Sequence, residues 1–194
     1  MTKVGLFGGT FDPIHFGHIH LALQLREKHG LDKVLFSPAY ISPYKTDTTP
    51  FFSAAHRLNM VKLAIEPIEG FEVFSYEVEQ KRVSYTIDTV RMLVNSYDKA
   101  QQKVSLHLLL GEDALADFSH WKESAELAKL APPLIGSRSL HPSLPQNLFA
   151  GLTPIPIMEI SSTDIRERLL RKKLYCGHLL PKAVLEYILA NQLG

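Results

Sequence analysis

The sequence predicts an α/β protein: one domain, residues 1–194, built on a parallel sheet with helices over both faces. Strand-like and helix-like segments alternate along the chain. The strand-like segments are continuously apolar, as at Val34–Phe36 and Leu108–Leu110, which is too apolar for a sheet with one wet face. Polar, turn-rich segments follow Phe7, Ser37 and Leu110. These are carboxyl ends of strands, where an open parallel sheet binds ligands.

Each element has a local reason. Lys3–Phe7 is an apolar run ending in Gly-Gly and reads as a buried strand. Ile19–Lys28 carries helical spacing through Ile19, Ala22, Leu23 and Leu25, with Gly30 as its stop. Val34–Ser37 is the second strand, closed by Pro38, and Ser42–Pro50 is a polar loop between prolines. A helix over Ala54–Ile65, a strand over Phe71–Val78 and a helix over Tyr85–Tyr97 follow. Ser105–Leu110 is the next strand and ends at Gly111. Two short helices, Glu112–Phe118 and Lys122–Leu130, flank Trp121. Leu134–Ser137 is a fifth strand, Ser139–Gly151 a surface loop rich in Pro, Ser and Asn, and Ile155–Ile157 a short sixth strand. Helices over Thr163–Arg171 and Lys182–Asn191 finish the chain.

Composition narrows the function. The 194 residues are 45% hydrophobic, enough for a sizeable core. Twenty-one basic against 20 acidic residues argue against duplex binding, which needs a net basic surface. Cys176 is the only cysteine, so there is neither an internal disulfide nor a Cys-based zinc site. The start, MTKVGLFGG, lacks the apolar region of a signal peptide, and no stretch has the length of a membrane span. The expectation is a soluble, cytoplasmic protein that binds neither nucleic acid nor membrane.

The chemistry concentrates at strand ends. Gly8 and Gly9 let the backbone turn tightly and approach a ligand, and Thr10 adds a hydroxyl. A helix beginning near Gly17 would aim its amides and positive dipole end into the same space, making an anion site. His15 and His18 are three apart and share a face of the first turn, where imidazoles could stabilise charge in phosphoryl or nucleotidyl transfer. His20 lies two residues from His18 and is expected to face away. A metal cluster of these histidines with Asp12 is the weaker reading, and Asp12 before Pro13 reads as a turn residue. At the far end, Ser161, Ser162 and Thr163 are N-cap residues, and Arg166 in the first helical turn suits a phosphate. Two anion-competent helix starts in one small domain favour a nucleoside triphosphate. Lys45, Gly111, Asp113, Tyr85, Thr86, Trp121 and Arg138 are further candidates: cations for phosphate, a carboxylate for ribose, an indole for a flat ring. No Ser-His-Asp or Cys-His set suggests a covalent nucleophile.

GGTFDPIHFGH, Gly8–His18, and ISSTDIR, Ile160–Arg166, resemble the two signature motifs of the nucleotidyltransferase superfamily whose first motif ends HxGH. Further matches run from Gly5 to the C-terminus: SPYK, RLNM, SYTIDTV, LLGEDAL, FSHW and LPKAVLEYI. They resemble the bacterial nicotinate-nucleotide adenylyltransferases. The resemblance implies a Rossmann-like, doubly wound sheet and transfer of AMP from ATP to nicotinate mononucleotide, giving deamido-NAD and pyrophosphate. It implies that His15, His18, Lys45 and Arg166 stabilise the transfer. Gly8, Gly9, Thr10, Phe11, Gly111, Asp113, Ser161 and Ser162 would complete the ATP site. Tyr85, Thr86, Trp121 and Arg138 would serve the acceptor, with Trp121 on the pyridine ring. Magnesium would enter with ATP, held by phosphates and water rather than by protein ligands. Two residues depart from the family pattern PNxxPPHK. Ala39 stands for the usual Asn and Tyr44 for the usual His, so acceptor phosphate binding leans more on Lys45. Phosphopantetheine adenylyltransferase and a non-catalytic nucleotide-binding protein are the alternatives, and a homo-oligomer stays open.

Overall fold

The computed structural model describes residues 1–43, 49–137, 150–156, 158–171 and 175–193. Six strands form one sheet: β1 (Thr2–Gly9), β2 (Lys33–Pro38), β3 (Phe71–Val73), β4 (Val104–Gly111), β5 (Pro133–Ser137) and β6 (Gly151–Pro154). Their order is β3-β2-β1-β4-β5-β6 and every pairing is parallel. This is the doubly wound, Rossmann-type order, with its reversal between β1 and β4. β1 sits in mid-sheet because residues 4–7 are buried on both faces. Its alternation divides the core. Val4 and Leu6 join Leu106, Leu108 and Leu110 on one face. Phe7 joins Val34 and Phe36 on the other. Each fully buried Leu or Phe is worth about 1.5–3 kcal/mol of transfer free energy.

Eight helices of the described residues cover the sheet. α1 (Phe16–His29), α2 (Ala54–Ile65), α7 (Ser162–Leu170) and α8 (Lys182–Ala190) supply Ala22, Met60, Ile165 and Ile188 to the Phe7 face. α4 (Thr86–Lys99), α5 (Glu112–Ala116) and α6 (Ser124–Leu130) supply Ile87, Leu115 and Leu127 to the other. α1 ends where predicted, at Gly30, whose φ of 60° is the left-handed C-cap conformation. Among the described residues, no helix is long and apolar enough to cross a membrane.

Three boundaries differ from expectation for physical reasons. The strand read over Phe71–Val78 stops at Val73, and α3 (Tyr76–Gln80) follows. Continued alternation would have placed Glu77 on the face of Phe71 and Val73. The helical turn instead brings its carboxylate to hydroxyl donors. The sixth strand lies at Gly151–Pro154, earlier than the Ile155–Ile157 expected, because these residues are the ones in register with Leu134–Ser137 of β5; Ile157 lies outside the described residues. α1 begins at Phe16, before Ile19, since His15 is already its N-cap.

Candidate active site

The loop after β1 is shaped by two close approaches. Gly8 faces open space: a Cβ there would meet nothing within 4 Å. At Gly9 a Cβ would lie 2.9 Å from Cζ of Phe11. Its absence lets the Phe11 ring fold back edge-on to Phe7, centroids 5.4 Å apart. Phe11 itself has φ 49°, a left-handed conformation that costs a non-glycine residue about 1–2 kcal/mol. The next residue holds the loop in place. Asp12 is buried, and its two carboxylate oxygens accept the amides of Phe51 and Phe52, each at 2.8 Å. It is a joint between this loop and the start of α2.

The histidines follow. The backbone N–H of His15 donates to Nδ1 of His18 at 3.3 Å. A ring nitrogen that accepts carries no proton, so neutral His18 holds its proton on Nε2. The two rings stack with centroids 3.8 Å apart. His15 is buried, its Nδ1 meets no partner, and burial pushes its pKa down to about 4. It is therefore neutral near pH 7. Gly17 permits this stack, since a Cβ there would sit 3.0 Å from Cε1 and Nδ1 of His15. The amide of Phe16 is not open to a ligand, because it donates to the Leu179 carbonyl at 3.1 Å.

The second motif is bolted to the first. Ser161 caps α7 by accepting the Asp164 amide at 3.1 Å. Ser162 Oγ donates to the Pro13 carbonyl at 2.9 Å. Arg166 Nη1 donates to the Asp12 carbonyl at 2.8 Å and lies 3.7 Å from Oδ2 of Asp12. Sequence reading made Ser162 an N-cap and phosphate candidate and Arg166 a phosphate candidate; in the structure each holds the opposite motif.

Two cavities meet at Gly8, Gly9, Thr10 and Gly111. The larger, about 900 Å³, has the size of a small-molecule site. Phe11, Asp12, His15, His18, Asp113, Ser161, Ser162 and Arg166 line it. Arg166 is the one Lys or Arg side chain among its described lining residues. His20, expected to face away, also lines it, because the cleft continues past α1 to Ile155 and Ile160. The smaller cavity, about 200 Å³, is bounded by Ala39, Ser84, Thr86 and Trp121. Trp121 lies at the end of a 3-10 turn, its ring 5.5 Å from that of Phe118. Tyr85 lines neither cavity; its ring carries the Lys122 ammonium 4.6 Å from its centroid. Tyr44, Lys45 and Arg138 lie outside the described residues.

Sequence reasoning missed two residues here. Arg57 is fully buried and donates to three carbonyls: Phe52 at 3.1 Å, Thr10 at 2.6 Å and Tyr40 at 3.0 Å. It ties the loops after β1 and β2 to the start of α2. Burial lowers its pKa, opposed by the charge of Asp12. Backbone carbonyls leave no mark in a sequence, so nothing in RLNM announced it. Glu77 lines the smaller cavity, and its signal was the broken alternation after Val73.

Among the described residues no group of three or more His, Cys, Asp or Glu is placed to hold a metal. Asp12 spends both oxygens on amides, and the other carboxylates among the described lining residues are Glu112, Asp113 and Asp117.

A cleft that brings the starts of α1 and α7 together, opening onto a second pocket at the reversal of a parallel sheet, is the arrangement of a nucleotidyltransferase. Residues 6–168 match the cytidylyltransferase-like family model. The probable nicotinate-nucleotide adenylyltransferase of Methylacidiphilum infernorum (isolate V4) is 39% identical over 98% of this chain and 91% of its own length. That of Dictyoglomus thermophilum (strain ATCC 35947 / DSM 3960 / H-6-12) is 37% identical over 97% of both. The chain belongs to the cytidylyltransferase-like family and, within it, to the nicotinate-nucleotide adenylyltransferases. The fold is also that of Plasmodium falciparum nicotinic acid mononucleotide adenylyltransferase complexed with NaAD. Its TM-score is 0.72 at 18% identity, over 100% of this chain and 97% of that one.

Proposed function

We propose that this chain transfers AMP from ATP to nicotinate mononucleotide, forming deamido-NAD and pyrophosphate. The observation that carries this reading is the junction at Gly8–Thr10 and Gly111, where an anion-binding cleft meets a pocket bounded by an indole. ATP lies in the larger cleft, its triphosphate toward His15, His18, Ser161, Ser162 and Arg166 and its ribose toward Gly111 and Asp113. The acceptor's pyridine ring enters the smaller pocket against Trp121 and the start of α4 at Thr86. Ala39, Tyr44, Lys45 and Arg138 serve the acceptor side; Tyr85, which lines neither cavity, is left out of it.

An acceptor phosphate oxygen attacks the α-phosphorus in line. The new oxygen–phosphorus bond forms as the bond from the α-phosphorus to the bridging oxygen breaks, and pyrophosphate leaves with that electron pair. His18 donates through Nε2, and Arg166 offsets charge at the leaving group. His15, neutral at rest, adds a hydrogen bond rather than a fixed charge. Magnesium would enter with the triphosphate, held largely by its oxygens and water, and would offset charge on the departing pyrophosphate. As proposed, the whole chain is one domain acting in the cytoplasm.

The test supplies ATP and magnesium with nicotinate mononucleotide, its amide counterpart or phosphopantetheine, and follows pyrophosphate. Release with nicotinate mononucleotide is expected, with slower release for the other two. Release with phosphopantetheine alone would replace the acceptor, and no release with any would remove the enzyme reading. His18→Ala should lower kcat far more than it raises the dissociation constant for ATP.

A further inference from the structure

Among the described residues lining the smaller pocket, Glu77 has the one ionisable side chain. The residue is 8% exposed. Oε1 accepts from Thr89 of α4 at 2.7 Å and from Ser37 of β2 at 3.4 Å. Ser84, in the turn before α4, bonds to the same group. The acid and amide mononucleotides differ in one group of nearly equal size, a carboxylate against a carboxamide. Packing on Trp121 cannot separate such isosteres; charge and hydrogen bonding can. An ionised Glu77 repels a ring carboxylate and accepts from a carboxamide N–H. A protonated Glu77 donates to a ring carboxylate. The walls around it, Leu108, Leu110 and Ala114, are apolar and leave the field little screened.

Resting on the proposed acceptor reading, we propose that Glu77 sets the pocket's choice of ring: it admits the anionic pyridine ring while protonated and turns toward the neutral ring on ionising. Burial pushes this carboxyl above the ordinary carboxylate range, and the hydroxyls of Thr89, Ser84 and Ser37 pull it back. Those three are the groups that act on it from β2, α4 and the turn; among the described residues no charged side chain joins them.

The experiment measures kcat/KM for both mononucleotides from pH 5 to 9, at saturating ATP and magnesium, and takes the ratio of acid to amide. Titrations of the acceptor phosphate, ATP and the histidines act on both substrates and cancel. The wild-type ratio should fall by at least about tenfold as pH rises, the size expected of two charges a few ångströms apart at an effective dielectric constant of about 20. In Glu77→Gln, a neutral isostere, the ratio should be flat. In Thr89→Val, which removes a donor to the carboxylate, the midpoint of the fall should move to higher pH. A flat wild-type ratio, a fall that persists in Glu77→Gln, or an unmoved midpoint in Thr89→Val would overturn the proposal while leaving the acceptor reading intact. Turnover of neither mononucleotide at any pH would overturn both.

Discussion

Acidification from pH 7 to pH 5 should destabilise this protein, and the share that runs through His15 can be isolated. In the folded chain burial holds its imidazole at about 4, against an ordinary 6.5. In the unfolded chain it titrates at the ordinary value. The unfolded state therefore binds the extra proton first, and stability falls as pH drops from 6.5 toward 4. At pH 5 the unfolded histidine is almost fully protonated and the folded one about one-tenth so. The difference is about 2 kcal/mol of lost stability relative to pH 7. With urea slopes of about 1–3 kcal/mol/M, the unfolding midpoint should drop by about 1 M. The assay is urea denaturation of wild type and His15→Gln at both pH values. Glutamine keeps the volume and cannot charge, so its midpoint should move less by that amount. Other groups that titrate in this window, His29 and His107 among them, act in both proteins and cancel. Equal midpoint shifts in the two proteins would refute the assignment of a buried, neutral His15.

Three further outcomes follow. Gly17→Ala should cut kcat more than tenfold while the melting temperature holds or rises, because the new Cβ displaces the His15 ring as helix propensity improves by about 1 kcal/mol; thermal melts beside turnover separate the two. Arg57→Met should cost about 3 kcal/mol or more in urea unfolding, since three carbonyls and the charge of Asp12 lose their partner. Trp121→Ala should raise KM for nicotinate mononucleotide about tenfold, the scale of one lost ring contact, with KM for ATP changed less than twofold by initial-rate kinetics.

What the sequence disclosed was local. α2 runs over Ala54–Ile65 as its spacing predicts, and Gly30 stops α1 because only its own backbone geometry was at issue. The residues read as an anion site, Gly8–Phe11, His15, His18, Ser161, Ser162 and Arg166, do line one cleft, since strand ends and helix starts announce themselves in residue type. What stayed hidden depends on distant partners. Nothing in ISSTDIR says that Ser162 and Arg166 donate to Pro13 and Asp12. Nothing around Glu77 names Ser37 or Thr89. The sixth strand was misplaced because its register depends on where β5 ends, not on its own residues.

The seam between the two motifs has a consequence for how the protein comes into being. Arg166 and Asp12 stand 154 residues apart in sequence. Bringing them together costs about 4–5 kcal/mol in loop-closure entropy alone if the chain between them is still unfolded. The cleft therefore does not exist in any nascent chain that stops short of α7, whatever its first hundred residues have already built. A nucleotide that fills the cleft draws the last-formed contacts together and stabilises the finished molecule by mass action. The substrate, in that sense, recognises completed synthesis.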